Sequence, residues 1–232
     1  MLSDPNAYSI LFQKMIAPIL PYGIKGALWY QGEFNVVNHQ EYQELFSGMI
    51  EDWREKWGYE FPFYFVQIAP YRYKENEHSE SLRDAQRKTL NIPNTGMAIT
   101  MDIGEEMDIH PANKQDVGLR LALLALHHNY GQKGLVPSGP LYKNHHIHSN
   151  YIDVEFDYLG SGLIGKNDLN GFEIAGTDRV FIAAKAKIIN NTIRVNSRKI
   201  KSPKYIRYGW KNYFEASLFN KKGLPASSFQ TE

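Results

Sequence analysis

His110 is the side chain in this sequence that is best placed for acid–base chemistry. It lies in the segment Asp108-Ile109-His110-Pro111, just before a long apolar helix pattern, and an imidazole on such a loop exchanges protons near neutral pH. A histidine that only caps the helix is the alternative. Glu33 is one candidate partner, because a carboxylate that accepts a hydrogen bond from one ring nitrogen leaves the other free to take a proton. Asp108 competes for this role, since side chains two residues apart on an extended segment point the same way.

Polar and aromatic side chains near Glu33 extend this candidate site. Gln31 carries an amide that can donate to an oxyanion, although a buried glutamine that satisfies loop carbonyls is as common. Trp29, Tyr71 and Tyr73 can stack on a sugar ring or line its pocket, but aromatic residues at strand ends also belong to protein cores. The site therefore depends on elements that bring distant segments together.

Three repeats of a strand followed by a helix can bring these distant segments together. Apolar runs and helical periodicities alternate along the chain, with strands predicted at 24–30, 63–68 and 97–101 and helices at 42–57, 79–90 and 111–130. A first helix is predicted from Asp4 and Pro5 to Pro21, and Ser79 is interpreted as a helix cap. The alternation indicates an α/β fold with a parallel sheet and flanking helices, in which the ligand crevice lies beyond the carboxyl ends of the strands. The helix at 111–130 is expected to be buried.

A different pattern begins near Leu141. Short alternating runs separated by glycine and asparagine turns predict a β-rich C-terminal annex. We therefore expect two domains: an α/β domain at residues 1–139 and the annex at residues 140–232, whose last segment packs back on the first domain.

The composition of the 232 residues excludes several classes of protein. Lys and Arg number 26 and Asp and Glu 25, and a net charge of +1 is too weak to hold a nucleic acid or an anionic membrane. We expect no membrane span and see no secretory signal in the opening residues. Without cysteine, disulfides and thiolate chemistry are excluded, while the compartment stays open.

The chain also resembles a known enzyme family. The blocks GALWYQGEFN, DWREKWG, FPFYFVQIAPY, LRDAQ and DIGEEMDIHPANKQDVGLRLALLAL look like successive segments of sialate O-acetylesterases, a carbohydrate-esterase branch of the SGNH hydrolases. The similarity continues through SGPLY, GFEIAG and GLPASSF. It implies a partial SGNH-type, flavodoxin-like parallel sheet and hydrolysis of acetyl esters on sialic acid or another O-acetylated glycan, with no metal or organic cofactor. For a full-length form it suggests a periplasmic or extracellular location.

The resemblance also implies roles for particular residues. It places the base on His110, and the oxyanion donor and acidic partner on Gln31 and Glu33. In the wider superfamily the acid stands three residues before the histidine, where this chain has methionine; this favours Glu33 and keeps Asp108 as the alternative. Arg72 or Arg83 is expected to bind the carboxylate of an anionic sugar.

The family's nucleophile is not found in this sequence. Relatives carry it in a glycine-glutamine-serine-asparagine turn upstream of everything matched here, and no serine replaces it: Ser161 reads as a turn in the annex, while Ser79 and Ser81 begin a helix. We therefore expect the chain to be the C-terminal part of the family's full-length enzyme and inactive alone. An unpaired strand edge is expected to associate with the missing N-terminal part or with a second copy.

Three other interpretations stay open. A non-catalytic carbohydrate-binding protein would keep the aromatic loops with incomplete hydrolytic machinery. A metal site at His145, His146 and His148 is a further alternative. The basic run at 194–204 is interpreted as a solvated strand face with at most a weak attraction for an anionic sugar.

Overall fold

The computed structural model describes residues 7–166 and 168–232. Three α-helices lie in the first part of the chain, at His39–Trp57 (α1), Ser79–Lys88 (α2) and Lys114–His128 (α3). The strands are β1 Ala27–Trp29, β2 Phe63–Val66, β3 Thr95–Ala98, β4 Leu141–Ile147, β5 Ile152–Asp157, β6 Leu163–Gly165, β7 Phe172–Ala175, β8 Ile182–Ala183, β9 Lys185–Ile189, β10 Thr192–Asn196, β11 Tyr205–Tyr208, β12 Leu218–Asn220 and β13 Phe229–Gln230. The α/β class with a β-rich annex is confirmed.

The first part is a parallel three-stranded sheet in the order β1-β2-β3. Successive side chains of β2 point to opposite faces, so Phe63 and Phe65 pack against α1 and α2 while Tyr64 and Val66 pack against α3. All four residues of β2 are buried. The sequence of a strand covered on both faces is a continuous apolar run, and this pattern predicted β2.

The β1 edge of this sheet and one face of α3 are exposed in the described residues. Within the described residues β1 pairs only with β2, and Leu28 on β1 is 65% exposed. The prediction that the helix at 111–130 is buried is wrong for one face, since Leu119 and Leu126 of α3 are exposed. The sheet contacts only the opposite face of α3, which carries Val117, Leu121 and Leu124.

Two details of the helices also differ from expectation. The predicted start of the first helix, at Asp4 and Pro5, lies outside the described residues; the segment after it forms a π-helical turn at Phe12–Ile16 and a 3₁₀ turn at Ala17–Ile19. Ser79 does not cap α2: His78 is the N-cap residue, and the Ser79 hydroxyl donates to Asn212 Oδ1 at 2.8 Å.

The annex contains two four-stranded antiparallel sheets, in the orders β4-β5-β10-β9 and β13-β11-β7-β8, and a two-stranded pair, β12-β6. Alternate residues such as Val154 and Ile193 from the first sheet and Ile174 and Ile206 from the second share one core. Their other faces carry the polar residues, which is the alternation that the sequence displayed.

The last residues return to the α/β part. Gln67, after β2, donates its amide to the Ser227 hydroxyl at 2.8 Å, and Arg83 on α2 donates to the Ser228 hydroxyl at 3.3 Å. Phe214 packs against both the α/β core and the annex core. The division at residue 139 stays a prediction, but these contacts make the first part and the end of the chain structurally dependent on each other.

Candidate active site at the carboxyl edge of the parallel sheet

The turn after β1 carries Gln31 and Glu33 and is fixed by a glycine. Gly32 has φ +155°, a conformation that disfavours other residues, and a Cβ there would lie 3.0 Å from Ile68 Cγ2 and 3.1 Å from Gln86 Nε2. The turn therefore packs directly on α2 and on the end of β2. The Gln31 amide donates to Asn35 Oδ1 at 2.6 Å, which uses one of its two N–H groups.

The buried side chain of Gln86 on α2 holds the carboxyl ends of β1 and β2 in place. Gln86 on α2 accepts from the Ile68 amide at 2.9 Å and donates to the carbonyl oxygens of Val66, at 3.2 Å, and Gln31, at 3.4 Å. Because one side chain joins the ends of two strands to α2, it sets the position of the loops that follow them. Gln86 lies in the sequence block LRDAQ, where no local pattern indicates this role.

Tyrosines surround Glu33. Burial, together with the negative charge of Glu33, raises the pKa of Tyr30 to about 12 and that of Tyr73 still further. The Tyr73 hydroxyl is buried without a hydrogen-bond partner, and its ring lies edge-on to that of Tyr71, with centroids 5.0 Å apart. Tyr73 also packs against the core of the α/β part, which is the alternative noted for these aromatic residues, and Tyr71 lies against it at the end of β2.

Carboxylates order the loop after β3. Asp102 forms a two-bond pair with Arg120 of α3, at 2.6 and 2.8 Å, and Glu105 accepts from the Ala112 amide at 2.8 Å. Arg72 lies 63% exposed and pairs with Glu106 at 2.5 Å, which links this loop to the one after β2. The exposed Arg72 guanidinium can still reach a second anion.

His110 lies on this loop with its side chain 88% exposed. Its Nδ1 is 3.9 Å from Asp108 Oδ1, an oxygen that also accepts the backbone N–H of His110 at 2.8 Å. Among the described residues, no hydrogen bond or ion pair joins His110 to Glu33. Asp108 is the carboxylate that lies next to the imidazole in these contacts, and the choice between Asp108 and Glu33 as the acid that orients His110 stays a prediction.

Two residues predicted to bind substrate are placed elsewhere. Arg83 is completely buried and bonds to backbone and hydroxyl oxygens, so the prediction that it meets a substrate carboxylate is corrected. Burial lowers the pKa of Arg83 to about 10. Trp29 packs in the aromatic core beside Phe46 and Phe63, with centroids 6.0 and 6.4 Å away, which is the core alternative noted for it.

A second histidine–carboxylate pair lies at the same end of the fold and was missed. His78, at the start of α2, has its Nδ1 3.0 Å from Glu80 Oε1, and its ring lies edge-on to that of His39 at the start of α1. Helices that follow parallel strands begin at the carboxyl edge of the sheet, so this pair borders the crevice. The spacing His-Ser-Glu was the available signal.

The annex contains the residues of two other interpretations, the serine at Ser161 and the possible metal site at His145, His146 and His148. Ser161 lies exposed in a turn closed by a bond from the Gly162 amide to the Leu159 carbonyl, as predicted. His146 and His148 lie 3.3 and 3.5 Å from separate carboxylates, and the described residues contain no group of three or more His, Asp or Glu suited to a metal ion. None of the described helices is long and apolar enough to cross a membrane.

Known proteins share both this sequence and this fold. Residues 3–127 match the family model described as carbohydrate esterase, sialic acid-specific acetylesterase. Sialate O-acetylesterase from Homo sapiens is 31% identical over 75% of this chain and 37% of its own length, and that from Mus musculus 34% identical over 61% and 30%. A solved carbohydrate acetylesterase from Xanthomonas citri has a TM-score of 0.88 and 39% identity, over 96% of this chain and 54% of that one.

The fold and these matches together assign the chain to a class of protein families, the carbohydrate esterases. More particularly, the chain belongs to the sialic acid-specific acetylesterase family. It spans about half of the matched solved chain and about a third of the curated relatives.

Proposed function

We propose that this chain carries the general base of a carbohydrate O-acetylesterase, and that the base is His110. The position of His110 is the observation that supports the proposal most: the imidazole is exposed at the carboxyl edge of the sheet, with its Nδ1 3.9 Å from Asp108. Membership of the esterase family supplies the reaction class. The substrate is an O-acetylated sialic acid or a related acetylated glycan, held between Tyr71, Tyr73 and the exposed Arg72.

In this mechanism the Nε2 atom of His110 takes the proton of a serine hydroxyl while the serine oxygen bonds to the acetyl carbonyl carbon. The tetrahedral intermediate then breaks its bond to the sugar oxygen, which receives the proton from the imidazolium. Water attacks the acetyl-serine and passes a proton to the same nitrogen; the second tetrahedral intermediate then breaks its bond to the serine oxygen, which takes that proton back, and the acetic acid released ionises to acetate in solvent. Asp108 stabilises the imidazolium, and the second N–H of the Gln31 amide is available to the oxyanion.

The serine comes, in this proposal, from a part of the enzyme outside these 232 residues, so the chain alone does not turn over acetyl esters. The bonding of the local serines supports this. Ser79 is held by Asn212 and Arg83, and Ser227 and Ser228 are fully buried. No serine hydroxyl in the described ranges bonds to His110, and the similar enzymes are longer than the part matched here.

The test measures acetate release from O-acetylated sialic acid by an enzyme assembled from this chain and the region preceding it. His110→Ala is expected to lower kcat at least about 10²-fold, the usual contribution of a general base, while His146→Ala in the annex leaves kcat unchanged. Asp108→Asn is expected to lower kcat more than Glu33→Gln. The reverse order would transfer the acid role to Glu33.

The same enzyme tests the carbohydrate-binding alternative. If it binds the acetylated sugar with an affinity that His110→Ala does not change, and releases no acetate, then the esterase proposal is refuted and the protein is a binder. Unchanged acetate release by His110→Ala would refute the role of His110 alone.

A further inference from the structure

A large open groove of about 790 Å³ lies in the annex, distinct from the loops of the candidate active site. It is formed by β8, the edge strand β9, the end of β10 and the turn that follows β10. Nine residues line it: Ala183, Ala184, Lys185, Lys187, Arg194, Asn196, Ser197, Arg198 and Lys199. Five of these nine side chains are cationic and none is acidic.

The cations face the same side because of the strand register. Lys185 and Lys187 are two residues apart on β9, so they project from one face, about 6.6–6.8 Å apart along the strand. Their cross-strand partners on β10 are Asn196 and Arg194. The turn bridged between Ser197 and Ile200 then adds Arg198 and Lys199 at one end of the same groove.

Only one of the five charges is compensated by a neighbour. Arg194 forms two bonds of 2.8 Å with Asp153 on β5 and lies over the Tyr151 ring, which fixes its guanidinium. Lys185, Lys187, Arg198 and Lys199 make no ion pair within the part of the chain that the structure describes. Since the whole chain carries only +1, this local excess is a concentrated positive site rather than a general property of the surface.

The lining also indicates which kind of anion fits. No aromatic side chain lines the groove, so neither nucleic-acid bases nor the face of a neutral sugar find a stacking surface there. Lysine and arginine spaced along a strand match anionic groups that recur along an extended chain.

We propose that this groove is a binding site for an acidic glycan, a sugar chain with repeated carboxylate or sulfate groups. Lys185, Lys187, Arg198 and Lys199 bind its charges, and Arg194, held by Asp153, supports the floor. The site is independent of the chemistry at His110. It would hold an acidic polysaccharide on the annex whether or not the α/β part acts on its acetyl groups.

Titration calorimetry with the 232-residue chain tests this against four probes: polygalacturonate for carboxylates, dextran sulfate for sulfates, neutral xylan, and single-stranded DNA. Binding of at least one acidic glycan and not of xylan is expected, and the affinity falls as NaCl is raised, because exposed charges are screened. The better of the two glycans identifies the anionic group. Tighter binding of DNA, or equal binding of xylan, would overturn the proposal.

Substitutions locate the site. Exposed ion pairs contribute about 1.4–5-fold each in affinity, so the loss of two gives about 2–25-fold. Because the introduced glutamates also repel an anionic ligand, Lys185→Glu with Lys187→Glu is expected to weaken binding about tenfold. Arg198→Gln with Lys199→Gln, on the turn, provides a second variant that leaves β9 intact. Lys221→Gln with Lys222→Gln removes two charges that do not line the groove and is the matched control. Equal weakening by the control pair would contradict the proposal.

Discussion

Arg83→Met tests the interpretation of Arg83 as a structural link and not a substrate ligand. The Arg83 side chain is completely buried. Its guanidinium donates to the hydroxyls of Ser79 and Ser228 and to the carbonyl oxygens of Gly209, Lys211 and Asn212. Methionine fills much of the same space but donates nothing, so three carbonyls lose a donor. At about 1 kcal/mol or more for each buried acceptor, the free energy of unfolding should fall by about 3 kcal/mol.

Urea unfolding followed by tryptophan fluorescence measures this change. With a denaturant slope of about 3 kcal/mol/M, the upper end for small proteins, the midpoint should fall by about 1 M. Arg72→Met is the matched control, because Arg72 is 63% exposed and an exposed ion pair contributes at most about 1 kcal/mol. Equal midpoints for the two variants would refute the structural role of Arg83.

Three further predictions concern packing and titration. Gly104→Ala places a Cβ 2.2 Å from the Pro70 carbonyl oxygen and should lower the melting temperature, whereas Gly118→Ala, in open space on α3, should raise stability by up to about 1 kcal/mol. Arg120→Met leaves the Asp102 carboxylate without its partner and should lower the free energy of unfolding, measured with urea, by about 3–5 kcal/mol. Burial raises the pKa of Tyr42 from 10.0 to about 12, so its stabilising contribution is complete below pH 10 and lost as the pH rises toward 12. Between pH 9 and pH 11, the urea midpoint should therefore fall less for Tyr42→Phe than for the wild type.

Periodic patterns predicted the elements that bury apolar side chains. The helical spacing at 42–57 corresponds to α1, which ends where Gly58 adopts φ +76°. The run at 63–68 corresponds to β2, the strand buried on both faces. In both cases local sequence and tertiary packing favour the same structure, so the pattern was sufficient.

The polar contacts were not predictable in this way. Arg83 lies on a short helix, and apart from Ser79 its partners are more than 120 residues away, so no local pattern identifies it as buried. The choice between Glu33 and Asp108 likewise depends on how the loop after β3 folds, which the bonds of Glu105 and Asp108 to backbone amides determine. The position of His110 before α3 was predictable because a strand, a loop and a helix follow one another there.

Hydrolysis of 4-nitrophenyl acetate tests the central claim most directly. We expect no turnover above the buffer rate by the 232-residue chain alone, turnover when the preceding region of the enzyme is supplied, and loss of that turnover with His110→Ala. Efficient hydrolysis by the chain alone that persists in His110→Ala would contradict it.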